Sequence, residues 1–235
     1  DLGARIGLIG HQLYIAQTVS RRLNPRVLLA DEVGLGKTIE AGLILSRLLS
    51  SGQVGRVLIL TPESLQHQSF VELLRKFNLS FKLLSDEYLS QYEDVNAFEQ
   101  DQLYIAGLDY LSARRSCMQQ AYQAGWDLLI VDEAHHLSGD GYDLVALLAE
   151  ITPAVLLLSA TPEQAGARQH FEGLRLLDAD RYSDFEHFKA DDKRYAKVAQ
   201  LAERLLEGKK PRKAELELLN ELGLAADEPD LIEAL

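Results

Sequence analysis

Two short stretches of the chain carry residue types able to bind and hydrolyse a phosphate anhydride. The first is Asp31-Glu32-Val33-Gly34-Leu35-Gly36-Lys37-Thr38, which follows the apolar run 26–30 and opens a helical pattern over 37–50. The general phosphate-loop pattern is Gly, four residues, then Gly-Lys-Thr, and here Asp31 stands in place of the first glycine. The rest of the chemistry is intact. Val33, Gly34, Leu35 and Gly36 form a nucleotide-binding loop, in which Gly34 and Gly36 let the backbone turn its amides toward a phosphate with no side chain in the way. Lys37 can reach the β- and γ-phosphates, and the Thr38 hydroxyl can ligate Mg²⁺. The helix that opens at Lys37 directs its N-terminal amides and dipole at the same anion.

The second stretch is Asp132-Glu133-Ala134-His135-His136, at the end of the apolar run 128–131. Carboxylates at the carboxyl end of a parallel strand stand where open α/β sheets bind their ligands. Asp132 is suited to hold Mg²⁺ through water, and Glu133 to accept a proton from the water that attacks the γ-phosphate. The adjacent histidines alone make a poor metal site: neighbouring residues rarely converge on one ion, and no third ligand is evident. A third stretch, Ser159-Ala160-Thr161-Pro162, follows the run 154–158. Its small hydroxyl residues can hydrogen-bond catalytic groups at the ends of neighbouring strands.

These residues need a scaffold, and the hydrophobic pattern supplies one. Apolar runs rich in Val, Ile and Leu predict strands at 26–30, 56–60, 81–84, 103–107, 128–132 and 154–159. The runs are continuous rather than alternating, as in strands covered on both faces. Helical patterns fall between them at about 11–23, 37–50, 63–77, 109–123, 141–150 and 163–177. Such alternation predicts an α/β domain with a mostly parallel sheet between helices. The acidic segment 86–101 reads as loop or ragged helix. After residue 178 no strand pattern remains. Tyr195 to Leu206 show helical spacing with Gly208 as a cap, and a second helix is expected from Pro211 to Gly223. Two parts are therefore expected: a domain over 1–178 and a charged helical appendage over 179–235.

The 235 residues carry 24 Lys+Arg against 36 Asp+Glu, a net charge of −12, with 47% hydrophobic residues. That content excludes a disordered chain, and the charge argues against a uniformly basic nucleic-acid binder. The acidity is uneven: residues 1–60 carry seven basic against four acidic residues, while 61–177 carry seven against seventeen. One cysteine, Cys117, excludes an internal disulfide or a cysteine zinc site and suits a reducing cytoplasm. No apolar run approaches the roughly 18 residues of a membrane span. The start, Asp1 to Arg5, is not that of a signal peptide, and the missing initiator Met predicts a piece of a longer protein.

In order and spacing, the three stretches resemble the motifs of superfamily-two helicases and translocases. Asp132-Glu133-Ala134-His135 resembles motif II, and Ser159-Ala160-Thr161 resembles motif III. Asp31 to Thr38 resembles the motif I variant of the Swi/Snf-type double-stranded DNA translocases, where Asp-Glu precedes the glycines; this accounts for the departure at Asp31. Leu8-Ile9-Gly10-His11-Gln12, Leu65-Gln66-His67-Gln68, Arg75-Lys76-Phe77-Asn78-Leu79 and Leu174-Arg175-Leu176-Leu177-Asp178 are similar to a bacterial branch of that family that associates with RNA polymerase. The likeness covers about residues 6–190. Two positions depart from it: Gly10 stands where Pro is common, and Ser69 where an aromatic follows Gln68.

The resemblance implies a RecA-like P-loop NTPase fold, the first of two such lobes, with ATP and Mg²⁺ as cofactors. It implies that Gln12 reads the adenine edge, and that Thr61, Pro62 and Ser64 touch the nucleic-acid backbone. His135, Ser159 and Thr161 would couple the nucleotide site to the DNA site. Implied partners are RNA polymerase and double-stranded DNA, with no membrane, for a monomeric, cytoplasmic, nucleoid-associated protein. The family's arginine finger belongs to a second lobe, and Arg168, Arg175 and Arg181 are poor substitutes. Slow ATP hydrolysis by this chain is therefore expected. Two alternatives stay open from the residues themselves. One is a different P-loop enzyme, such as a helicase of a different subfamily or a kinase; a GTPase would need an Asn-Lys-x-Asp sequence, which is absent. The other is a polymerase-docking module without activity.

Overall fold

The computed structural model describes residues 10–30, 37–92, 94–159 and 166–206. Val33, Gly34, Leu35 and Gly36 of the expected phosphate loop, Thr161, and the expected helix at 211–223 lie outside the described residues.

Six strands form one sheet: β1 (Arg26–Ala30), β2 (Val57–Thr61), β3 (Lys82–Leu83), β4 (Leu103–Gly107), β5 (Leu128–Val131) and β6 (Ala154–Ser159). Their order is β1-β6-β5-β2-β4-β3, and every pairing is parallel. The continuous apolar runs arise because successive strand residues point to opposite faces and both faces are covered. Leu58 and Leu60 of β2 face one core, with Leu129 and Val131 of β5. Val57 and Ile59 face the other, with Leu128 and Ile130.

Helices α1 (Gly10–Ser20), α2 (Lys37–Ser50) and α3 (Gln66–Phe77) cover the second of these faces through Ala16, Ile44, Leu45, Leu48, Leu73 and Phe77. The first face is covered by α5 (Leu108–Ser112), α6 (Arg115–Gln123), α7 (Gly139–Ile151) and α8 (Ala167–Leu177), with α4 (Asp86–Leu89) a single turn before β4. Gly42 lets α2 and α3 pack closely, because a Cβ there would collide with the Phe77 ring. That contact sets the position of α3 beside the start of α2.

The departures from the sequence reading have local causes. The helix expected at 109–123 breaks in two at Arg114, whose backbone is extended (φ −120°, ψ 96°). The Arg114 guanidinium lies 3.6 Å from the centre of the Tyr110 ring and donates to the Tyr110 carbonyl at 3.0 Å. The helix expected from 63 begins as a tight turn at Glu63–Leu65 before α3. It ends at Asn78, whose left-handed backbone (φ 55°) caps it. The strand expected at 81–84 keeps only two paired residues, as short edge strands do. The segment 86–101, expected as loop or ragged helix, contains α4.

The chain divides into two compact units between Arg181 and Tyr182. Among the described residues the second contains α9 (Phe185–Leu206), 22 residues long. It starts well before Tyr195, where the apolar spacing begins. Asp184 explains the early start: its carboxylate accepts the His187 amide at 2.6 Å, as an N-cap does.

Arg26, at the start of β1, closes the amino edge of the sheet. Its guanidinium donates to the carbonyls of Leu177 (2.8 Å), Thr152 (2.8 Å) and Leu176 (2.9 Å), the carbonyl groups left over where α7 and α8 end. Asp127 does the complementary work, accepting the amides of Gly55 and Arg56 at 2.8 Å each.

Candidate nucleotide site at the carboxyl edge

The strand order brings the three motifs together. β6 lies between β1 and β5, so the carboxyl ends of these three strands are neighbours. β1 leads to the loop before Lys37, β5 ends in Asp132, and β6 ends in Ser159, which is in register with Ala30. Ser159 is buried.

Lys37 opens α2 and is only 9% exposed, an unusual environment for lysine that places its charge inside a cleft. Asp132 extends the β5 ladder by one residue: its amide donates to the Leu60 carbonyl at 2.8 Å. The carboxylate is therefore held at the strand end. Its pKa is pushed up to about 6, mainly by burial and then by the adjacent Glu133 charge. The Glu133 amide, which donates to Asp132 Oδ1 at 2.9 Å, and the Lys37 charge act the other way.

Glu133 has φ +52° and ψ 42°, the left-handed region that non-glycine residues rarely adopt. This conformation, which costs about 1–2 kcal/mol, turns the chain sharply from the strand into the short turn Ala134–His136. His135 Nδ1 lies 3.3 Å from Glu133 Oε2. Burial, then the neighbouring His136, lower the His135 pKa despite Glu133. A neutral imidazole donating Nδ1–H to the carboxylate fits these surroundings.

Lys37, Thr38, Asp132 and Glu133 line one cleft of about 440 Å³. The structure thus gathers the predicted catalytic and metal-binding residues that it describes. Gln12 is not in that group. It is on α1, 2% exposed, and α1 packs on α2. Thr61 ends β2 and is buried, its hydroxyl donating to the Pro62 carbonyl at 3.0 Å, while Ser64 is exposed in the turn that follows.

Three features escaped the sequence reading. First, α3 forms a wall of the cleft through Gln68, Glu72 and Lys76; their spacing of four was the available signal. Secondly, Glu40 is 1% exposed, with His11 Nε2 3.4 Å from its Oε1, which ties α1 to α2. Thirdly, the expectation that the two histidines lack a third ligand needs correction. The ligand atoms of Glu133, His135 and His136 all lie within 4.8 Å of one another, because the left-handed turn folds the carboxylate back onto the rings. A second hollow, about 630 Å³, lies beyond His135, where Tyr142 of α7 meets Arg168 and Arg175 of α8.

Thr38, Asp132 and Lys37 fit an Mg²⁺–nucleotide: a hydroxyl and a carboxylate suit a hard cation, and a buried ammonium at a helix N-terminus suits phosphate. No helix among the described residues is long and apolar enough to cross a membrane.

A family model described as the SNF2-related domain matches residues 14–222. The RNA polymerase-associated protein RapA of Photobacterium profundum is 50% identical over 231 residues, covering 93% of this chain and 24% of that protein. The protein of the same name from Vibrio cholerae serotype O1 is 48% identical over 241 residues, covering 99% and 25%. The chain thus spans about a quarter of the length of these curated relatives. Among solved structures, the Sulfolobus solfataricus SWI2/SNF2 ATPase core in complex with dsDNA superposes with a TM-score of 0.65 at 18% identity, covering 92% of this chain and 43% of that one. That likeness identifies the fold as the RecA-like one. Together with the Lys37–Asp132–Glu133 cleft at the expected strand ends, the match over 14–222 shows that this chain belongs to the SNF2-related domain family.

Proposed function

We propose that this chain is the ATP-binding lobe of an ATP-dependent double-stranded DNA translocase that associates with RNA polymerase and remodels transcription complexes. The convergence of Lys37, Thr38, Asp132 and Glu133 on one cleft carries this reading. The name of the RapA relatives supports the polymerase partner, and the DNA in the Sulfolobus complex supports the duplex partner. The lobe spans 1–178, and 179–235 is a helical appendage.

In this reading Lys37 and the loop Val33–Gly34–Leu35–Gly36 bind the phosphates. Thr38 and Asp132 hold Mg²⁺, which when bound neutralises phosphate charge. Glu133 accepts the proton of the attacking water, held in place by His135. Gln12 is the adenine contact; its amide has to turn out of its buried position on α1 to serve. Thr61, Pro62 and Ser64 contact the nucleic-acid backbone, and His135, Ser159 and Thr161 link the two sites. Hydrolysis by this chain alone is slow, because an arginine finger from a second lobe is typically worth about 10³–10⁵ in rate. DNA binding by the chain alone is weak and salt-sensitive, given its −12 charge. The protein is cytoplasmic and monomeric.

The test is nucleotide binding, measured by fluorescence with an ATP analogue. Lys37→Ala weakens it about 10–100-fold, the loss of a charged hydrogen bond worth roughly 1.5–3 kcal/mol. Undiminished binding by the variant would remove the phosphate-loop assignment.

A further inference from the structure

The cleft wall formed by α3 has no role in the chemistry assigned so far, yet it is built. Gln68, Glu72 and Lys76 recur every four residues and so lie on one face of α3, the face that lines the cleft. Glu72 is held from both sides: Gln68 Nε2 donates to its Oε1 at 3.1 Å, and Lys76 Nζ is 3.5 Å from its Oε2. These two contacts favour one position of the carboxylate on the cleft wall. Its side chain is 24% exposed against 34% for Lys76, so water screens the anion less than the cation.

The charges that line the cleft among the described residues are Lys37 and Lys76 against Glu72, Asp132 and Glu133. Asp132 and Glu133 have assigned work, one on the metal and one on the water. Glu72 has none, and a third carboxylate works against a polyanion. A metal-free triphosphate meets that repulsion in full. A triphosphate with its divalent cation carries much less charge and brings a positive centre that the carboxylates attract.

We propose that Glu72, clamped by Gln68 and Lys76, is a specificity-determining residue that makes this cleft select the metal-bound nucleotide over the free one. The inference rests on the nucleotide-binding reading above. Glu72 acts through its charge on the cleft, and Lys76 acts with the opposite sign.

The experiment measures the affinity of the 235-residue chain for a fluorescent ATP analogue, once in excess Mg²⁺ and once in EDTA. The ratio of the two affinities is the readout. Glu72→Gln lowers the ratio about 3–10-fold, through tighter binding in EDTA, as expected for one charge removed at partly screened range. Lys76→Gln raises it. A residue that only supports the fold would change both affinities by one factor and leave the ratio alone; that result in both variants overturns the proposal. If Glu72→Gln fails to fold, as judged by its thermal melt, the direction of the Lys76→Gln change decides. An unaltered chain that binds the analogue in neither buffer removes the nucleotide reading and this inference with it. An unaltered chain that binds, with a ratio unmoved by either variant, removes only the inference.

Discussion

The two edges of one sheet treat their charged residues in opposite ways. At the amino edge, Arg26 and Asp127 are satisfied from within the fold, one by three carbonyls and the other by two amides. At the carboxyl edge, Asp132 is crowded by Glu133, burial pushes its pKa up to about 6, and Glu133 itself holds a left-handed backbone. Burial alone does not make the difference, since Arg26 is also partly buried and its pKa is lowered by that burial. Its hydrogen-bond partners belong to the chain, whereas Asp132 stands beside a second carboxylate in an open cleft. Charged groups at the first edge contribute stability through these hydrogen bonds, while at the second the raised Asp132 pKa marks a carboxylate held at a cost to stability.

Substitutions at the two edges should therefore separate stability from function. The largest effect is on chemistry. In a full-length protein with both lobes, Glu133→Gln should lower ATP turnover about 10²–10⁴-fold while nucleotide affinity stays the same. Turnover within a factor of three of the unaltered protein would show that Glu133 is not the base. Next comes the amino edge. Arg26→Ala leaves three carbonyls without their donor and should destabilise the fold by about 2–4 kcal/mol in urea unfolding. A loss below about 1 kcal/mol would show that water replaces the guanidinium freely.

Asp132→Asn should have the opposite sign. A carboxyl whose folded pKa is raised from 3.8 to about 6 binds its proton more tightly in the folded chain. Its favourable contribution is therefore full below about pH 4 and is lost as pH rises through 6. The variant should gain on the unaltered chain between those values and hold a constant lead above them, about 1–3 kcal/mol, while losing Mg²⁺-dependent nucleotide affinity. Equal stability from pH 4 to 8 would remove the claim that this edge is strained by its own charges. The smallest effect belongs to Asp127→Asn, which keeps an acceptor but loses its charge, at about 1 kcal/mol. A stabilisation there would erase the contrast between the edges.

Much of this was legible from residues in order. Continuous Val, Ile and Leu runs announced buried parallel strands, because only a strand covered on both faces needs apolar residues at every position. Gly-Lys-Thr after one such run, and Asp-Glu after another, marked Lys37, Thr38, Asp132 and Glu133, which the fold brings to one cleft. The helix break at Arg114 was not legible, since it depends on where the guanidinium meets Tyr110 in space. Neither was the early start of α9, because Phe185 to Arg194 lack a clean apolar stripe and only the Asp184 cap marks the beginning.

By itself, the sequence determined which chemistry is available: residue types, their spacing along the chain, and the alternation that requires a parallel sheet. Tertiary structure decided which residues share a cleft. The crossover order β1-β6-β5 placed Lys37 beside Asp132, 95 positions away in sequence. Gly42 of α2 admits the Phe77 ring of α3, and Gln68, Glu72 and Lys76 of that same helix line the cleft. The left-handed turn at Glu133 folded a carboxylate onto two histidines with which it shares no ligand spacing along the chain. The physical reason is that strand propensity and hydrophobic period act over a few residues, while electric fields and steric fit act across space.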